Sequence, residues 1–274
     1  MLNRLNSSWP ASEMQLTGVR FLLIDAPNLI RRIHAAIPPD KQSQIIEQTI
    51  TSSLQSLSRA LKQHTPTHTL CAFECDGSTW RHEVFPDYKK DRPVMPEELV
   101  EIFSRLKREI QDNGVFTLNI AGMEADDIIS SAAIKAAAQG AEVTVLSTDM
   151  GQAQLLRPGI RQYNHFKQEA ITAETIQQRF SVKTSQLNDY LAMVGDKSHS
   201  LPGVPGIGSK TAARLLDSYS DLEEIIAAAD EIGGRTGKSL TEHRESASLI
   251  KNLLALRTDI SLGQSFRSFR YTGQ

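Results

Sequence analysis

Three carboxylates fall within four residues at Glu124-Ala125-Asp126-Asp127. Like charges at this density repel unless a cation offsets them, and a divalent metal is the obvious candidate. Glu124 and Asp127 are three residues apart, so on a helix they share a face while Asp126 projects to one side. Oxygen-only ligands of this kind suit Mg²⁺ or Mn²⁺. The plainer alternative is acid at a helix start, where it complements the positive end of the helix dipole for roughly a few tenths of a kcal/mol. Asp25, Glu74 or Asp76, and Asp149 each follow a short apolar run, which widens the possible ligand set.

Those runs are the elements that must position the acids. Residues 19–24, 69–73, 115–118 and 143–146 read as buried parallel strands. Helical segments are expected between them at 42–63, 96–113 and 125–139, the last two stopped by Gly114 and Gly140. This alternation predicts a doubly wound α/β core with a mostly parallel sheet. Ligands of such sheets gather beyond the carboxyl ends of the strands, so acids distant in sequence would meet in one crevice.

After about residue 169 the expectation is short helices without strands, at 172–180, 184–194, 209–216 and 241–256, with Thr172 and Thr184 as caps. Leu201-Pro202-Gly203-Val204-Pro205-Gly206-Ile207-Gly208 cannot continue a helix and reads as a tight hairpin between two helices. Its glycines leave backbone N–H groups at the start of the Ser209 helix, a phosphate seat with Lys210 and Arg214 nearby. A P-loop is a poorer match, because Ser209 is inserted before Lys210 and no apolar strand precedes it. A plain helical turn that binds nothing is the other alternative. The expected organisation is a loose tail at 1–18, an α/β core at 19–168 and a helical region at 169–274.

With 274 residues, 40% hydrophobic and 23% charged, the chain has a globular composition, so disorder is not expected. A net charge of -2 and pI near 6.4 argue against a uniformly basic nucleic-acid binder, though not against a basic patch beside an acidic site. Cys71 and Cys75 lack zinc spacing and are expected reduced. No secretory core or membrane-length apolar window occurs, so a cytoplasmic protein is expected. The stretch 80–93 mixes Trp80, Phe85 and Tyr88 with Arg81, Lys89, Lys90 and Arg92; it suits phosphate gripping and base stacking, or is a solvated charged loop.

Taken together, Leu23-Ile24-Asp25, Phe73-Glu74, Trp80-Arg81-His82-Glu83, Tyr88-Lys89, Arg92-Pro93, Glu124-Ala125-Asp126-Asp127, Ser147-Thr148-Asp149 and Gly195-Asp196 before the hairpin resemble the 5′-nuclease family. That family includes flap endonucleases and the 5′-nuclease domain of bacterial DNA polymerase I. The resemblance runs in order from about Val19 to Leu256. It implies a PIN-like core, a helix-hairpin-helix (H3TH) region, and a metal-dependent phosphodiesterase acting on DNA with 5′ flaps, branches or ends, as a monomer without membrane attachment.

The same resemblance implies Mg²⁺, with Mn²⁺ as a substitute, held by Asp25, Glu74, Glu124, Asp126 and Asp127 in a first cluster and by Asp149 and Asp196 in a second. Glu74 stands where the family usually has Asp. Gly151 and His199 replace two further acids, which leaves the alternative of a structure-specific DNA-binding module with weak or no nuclease activity. Arg32, Arg81, Lys89 and Arg92 would steer and polarise the scissile phosphate, and the segment near 80–96 would form an arch for the 5′ strand. A K⁺ ion would sit on the carbonyls of Met193, Val194, Pro202, Val204 and Ile207, while Gly206, Ile207, Gly208, Ser209, Lys210 and Thr211 face the duplex phosphates.

Overall fold

The structure is a computed structural model in which residues 18–38 and 43–273 are described. The expected tail and the expected helix start at Gln42 lie outside them, apart from Gly18. Six strands form the main sheet: β1 (Arg20–Asp25), β2 (His68–Ala72), β3 (Phe116–Leu118), β4 (Glu142–Leu146), β5 (Ile160–Asn164) and β6 (Glu169–Ile171). Their order is β3-β2-β1-β4-β5-β6, parallel except for β6. The chain winds outward from β1 through β2 to β3, then returns to the other side of β1 with β4. This is the doubly wound arrangement, and its topological switch point lies between β1 and β4.

Alternate residues of β1 sort into two cores, as strand pleating requires. Leu22 and Ile24 pack with α1 (Ala26–Ala35), α2 (Ile45–His64) and, across the same layer, α4 (Glu97–Asp112) through Ile30, Leu57 and Ile102. Phe21 and Leu23 face α5 (Ala125–Ala138). The alanines Ala125, Ala132, Ala133 and Ala136 let that helix lie close to the sheet. Between β2 and α4, the short α3 (Trp80–Val84) starts at Thr79, whose backbone N–H reaches His82 Nδ1 at 3.1 Å.

A third core is helical: α6 (Ala173–Phe180), α7 (Leu187–Val194), α8 (Ser209–Ser218), α9 (Leu222–Ala227), α10 (Ala229–Ile232), α11 (Gly234–Glu242) and α12 (Arg244–Leu254). A two-residue ladder, β7 (Gly195–Asp196) with β8 (Leu201–Pro202), frames the hairpin.

Three expectations need correction. β5 and β6 were not expected, because their mixed polar sequence lacks an unbroken apolar run, and β6 carries strand structure past residue 168. Thr172 caps α6 by accepting from Thr175 N, but Thr184 opens a 3₁₀ turn and its hydroxyl is buried without a hydrogen-bond partner among the described residues. The last residues are not part of the helical region: Phe269 is fully buried against Phe21 and Phe116, and Tyr271 N donates to Thr67 O at 2.9 Å. The segment after Phe85, expected as an arch, is docked as a strap against residues 198–200. Lys89 N donates to His199 O at 2.9 Å, Asp91 N to Ser200 Oγ at 3.2 Å, and Arg92 Nε to Ser198 O at 3.1 Å.

Candidate active site

Asp25 ends β1 and caps α1, accepting from Asn28 N at 3.0 Å and from the Ser147 hydroxyl at 2.7 Å. Asp149 stands just past β4 and accepts from Gly151 N at 2.8 Å. The switch point therefore places these two carboxylates side by side. Glu74, past β2, and Asp126, in the first turn of α5, line the same cleft of about 550 Å³, whereas Asp76 is exposed on the turn beyond Glu74. Gln152 Nε2 donates to Asp126 at 2.5 Å.

Burial and the charges of Asp149 and Glu74 push the Asp25 pKa up to about 7 despite its two hydrogen-bond donors. Burial and the charges of Asp25 and Asp149 likewise hold Asp126 well above the usual carboxylate range. Asp25, Glu74, Asp126 and Asp149 are thus an under-neutralised set, ready to gain from a cation. As they stand, no three acidic, imidazole or thiol side chains among the described residues converge on one ion-sized point. Mg²⁺ keeps several waters, so bridging waters or small rotations would complete coordination.

The remaining acids have different surroundings. Asp127 is fully buried, and its oxygens accept from Arg81 Nη1 (2.6 Å) and Nη2 (2.8 Å), Trp80 Nε1 (2.9 Å) and Arg257 N (3.0 Å). With four donors in place it has no free lone pair for a metal, and the expected ligand role is corrected to a structural one. Arg81 is corrected with it. Its five N–H donors meet Leu253 O, Glu124, both Asp127 oxygens and Ala255 O, so none is left for a phosphate. Burial alone would lower its pKa, but the bond and charge of Asp127 carry it upward.

Glu124 is also paired, with Arg81 Nη1 and the Tyr88 hydroxyl at 3.0 Å each and with the Lys89 ammonium. Burial opposes its charge, yet Lys89 and Arg81 bring its pKa down overall. Lys89 sits in the left-handed region at φ 58, a strained conformation for lysine, held by the strap so that its ammonium reaches Glu124 and, at 3.9 Å, Glu74. Arg32 and Arg92 line the same cleft. Asp196 is committed locally: it accepts from Ser198 N at 2.8 Å and pairs with His199 Nδ1 at 2.6 Å. Burial raises its pKa, but His199 wins and holds it at about 2. The His199 ring stacks on Tyr88 at 5.5 Å and lines two adjoining clefts, the second about 450 Å³.

Sequence reasoning passed over Asn28 and Gln152, and it singled out Ser147, Tyr88 and Trp80 without assigning them the role they have with those two, which is to position the acids. The Asp25–Asn28 spacing of an N-terminal cap was a readable signal for Asn28; the others act through tertiary contact.

In the hairpin, Val204 and Ile207 side chains are buried, whereas Gly206, Gly208, Ser209 and Lys210 are exposed. No side chain caps α8 and no acid occupies its first turn, so its leading N–H groups face outward. A Cβ on Gly203 would fall 2.5 Å from Val194 O and 2.6 Å from Met193 O, so these carbonyls converge where only glycine fits. Met193 O accepts from Val204 N at 2.8 Å and Val204 O from Ile207 N at 3.0 Å, each keeping a second lone pair.

A family model described as the resolvase-like N-terminal domain of 5′-3′ exonuclease matches residues 20–181, and one for its C-terminal SAM fold matches residues 182–274. The chain belongs to the 5′-3′ exonuclease family. Within that family it is similar to flap endonuclease Xni of Shewanella loihica, 39% identical over 251 residues that span 92% of this chain and 96% of that protein. It is also similar to flap endonuclease Xni of Vibrio parahaemolyticus, 39% identical over 258 residues, 93% of this chain and 98% of that one. Among solved structures, T5 5′-exonuclease with zinc bound has a TM-score of 0.72 at 22% identity, covering 87% of this chain and 90% of that chain. The catalytic core of Rad2 with a DNA substrate has a TM-score of 0.57 at 11% identity, covering 93% and 83%. Both structural likenesses concern the fold. Among the described residues, no helix is long and apolar enough to cross a membrane.

Proposed function

We propose that the protein is a structure-specific 5′ flap endonuclease, hydrolysing DNA phosphodiester bonds at 5′ flaps or branched ends with divalent-metal help. The observation that carries this reading is the set Asp25, Glu74, Asp126 and Asp149, which face one cleft, where burial and the neighbouring carboxylates raise the proton affinity of Asp25 and Asp126. These four would hold Mg²⁺, or Mn²⁺ in its place, through hard oxygen atoms. Glu124 would join after Lys89 turns from it toward a phosphate. When bound, the metal lowers the pKa of the attacking water and offsets charge on the phosphate.

The chain's own groups do the rest. Lys89, Arg92 and Arg32 contact the scissile phosphate, Arg81 and Asp127 hold the first turn of α5 in place, and Asp196 orients His199. Gly206, Gly208, Ser209, Lys210, Thr211 and the Ile207 backbone grip duplex phosphates without reading sequence. Carbonyls of Met193, Val194, Pro202, Val204 and Ile207 would take K⁺ and so tie the hairpin to the DNA backbone. The protein would act as a monomer on DNA.

The test is cleavage of end-labelled 5′-flap, nicked and single-stranded DNA and of RNA. The expected result is cutting near the flap junction with Mg²⁺ or Mn²⁺ and none with EDTA. Flap binding without cleavage in either metal would instead support the binding-module alternative. A second expectation concerns the hairpin: exchanging Na⁺ for K⁺ at constant ionic strength tightens duplex binding. Gly203→Ala, whose Cβ collides with Val194 and Met193 backbone, removes that gain and weakens binding roughly tenfold. Equal affinity in the two salts for the parent protein would exclude the ion bridge.

A further inference from the structure

Phe166 is the one aromatic ring among the strongly exposed large hydrophobic side chains of the described residues, at 40% exposure. It sits in the turn between β5 and β6, just past the carboxyl end of β5. Because β5 neighbours β4 and β4 neighbours β1, Phe166 extends the row formed by Glu74, Asp25 and Asp149 by one strand, about 5 Å farther along the edge.

The turn is built to hold the ring there. Asn164 Oδ1 accepts from Phe166 N and Lys167 N, both at 3.1 Å, and Gln168 closes the turn in the left-handed region at φ 54. His165 packs edge-on against the ring at 6.0 Å. The guanidinium of Arg32 lies over the ring at 5.3 Å, and Arg32 itself lines both clefts of the acidic site. Asn28 and Thr148 border the site and also the shallow hollow beside Phe166. A solitary exposed phenylalanine is ordinary surface. One that shares its arginine with an acidic phosphate-handling cleft has the makings of a nucleotide subsite.

We propose that Phe166 is a base-stacking platform: an unpaired nucleobase adjoining the phosphate in the acidic cleft lies on the ring face opposite Arg32, while Arg32 contacts that nucleotide's phosphate. The inference rests on the nuclease reading for the position of the phosphate, and it adds the recognition of an unstacked base beside the cut. Base stacking on aromatic side chains is strong enough that its loss weakens binding roughly ten- to hundredfold.

The test uses 5′-flap DNA carrying 2-aminopurine at successive positions about the junction, bound in EDTA so that cleavage is not needed. The wild-type protein is expected to quench the probe at one or two positions. Phe166→Ala loses that quenching and binds flap DNA at least tenfold more weakly, whereas Phe166→Trp keeps both, and affinity for blunt duplex is unchanged. An abasic site at the quenched position brings the wild type to the affinity of Phe166→Ala and leaves the variant unaffected. Equal quenching by the wild type and a folded Phe166→Ala, or an equal abasic penalty in both, overturns the platform. Normal flap cleavage with no stacking signal would defeat this proposal alone; stacking without cleavage would defeat the nuclease reading and leave the platform standing.

Discussion

Arg81→Met is expected to lower stability by about 3–5 kcal/mol, the cost of leaving buried partners of an ion pair uncompensated. Methionine keeps the apolar bulk but none of the five donors that now serve Asp127, Glu124 and two carbonyls flanking the end of α12. For a chain of this size that is roughly 10 °C in Tm. Arg81→Lys should recover only part of the loss, since one ammonium cannot reproduce a bidentate fork. Arg81→Met combined with Asp127→Asn should also be less damaged than the two single variants added together, because the second change removes the stranded charge. Thermal melts of the wild type and the four variants provide the measurement. If Arg81→Lys melts with the wild type and loses only cleavage, Arg81 contacts substrate and the strut described above is wrong.

The second large effect is expected of Asp25→Asn, with opposite signs on activity and stability. Cleavage with Mg²⁺ should fall by at least about a thousandfold, the scale of removing one strong electrostatic contribution to a transition state, while flap binding persists through the hairpin. The metal-free protein should become more stable. Burial first, then the charges of Asp149 and Glu74, hold the Asp25 carboxyl at about 7 in the folded protein, against roughly 3.9 unfolded. The folded state therefore binds more protons between these values, and wild-type stability falls as pH rises through that window. Below about pH 4 aspartate and asparagine should differ little. The gain from asparagine should grow to about 4 kcal/mol by pH 7 and level off above it. Asparagine can still cap α1, so loss of the cap does not confound the comparison. Urea titrations at pH 4, 5.5, 7 and 8 without metal check this. A gain that is constant with pH, or a loss, would mean that Asp25 is not held protonated by its neighbours.

The sequence by itself determined where the strands of the parallel core run and which acids stand at their ends. A buried parallel strand needs a mostly apolar run: 21–24 is wholly apolar and 143–146 is broken only by Thr144; the residues just past such runs are placed at the sheet's carboxyl edge by chain geometry. Local chemistry also made the hairpin at 201–208 readable, because prolines and glycines stop a helix wherever they occur. Strands β5 and β6 were hidden, since one lies near the sheet edge and the other on it, where polar residues such as Arg161 and Glu169 can face water. The division of labour among the acids was hidden too. Glu124, Asp126 and Asp127 look alike as three carboxylates in four residues, yet Asp127 turns inward to Arg81, Trp80 and the backbone of Arg257, while Asp126 turns toward Asp25 and Asp149. Their separation rests on partners 46 and 130 residues away from Asp127, which no local spacing encodes. Spacing along a helix determines the direction in which each side chain leaves the backbone; which charge it then meets is decided only when distant segments pack, because electrostatic neutralisation in a buried site depends on contact across the fold.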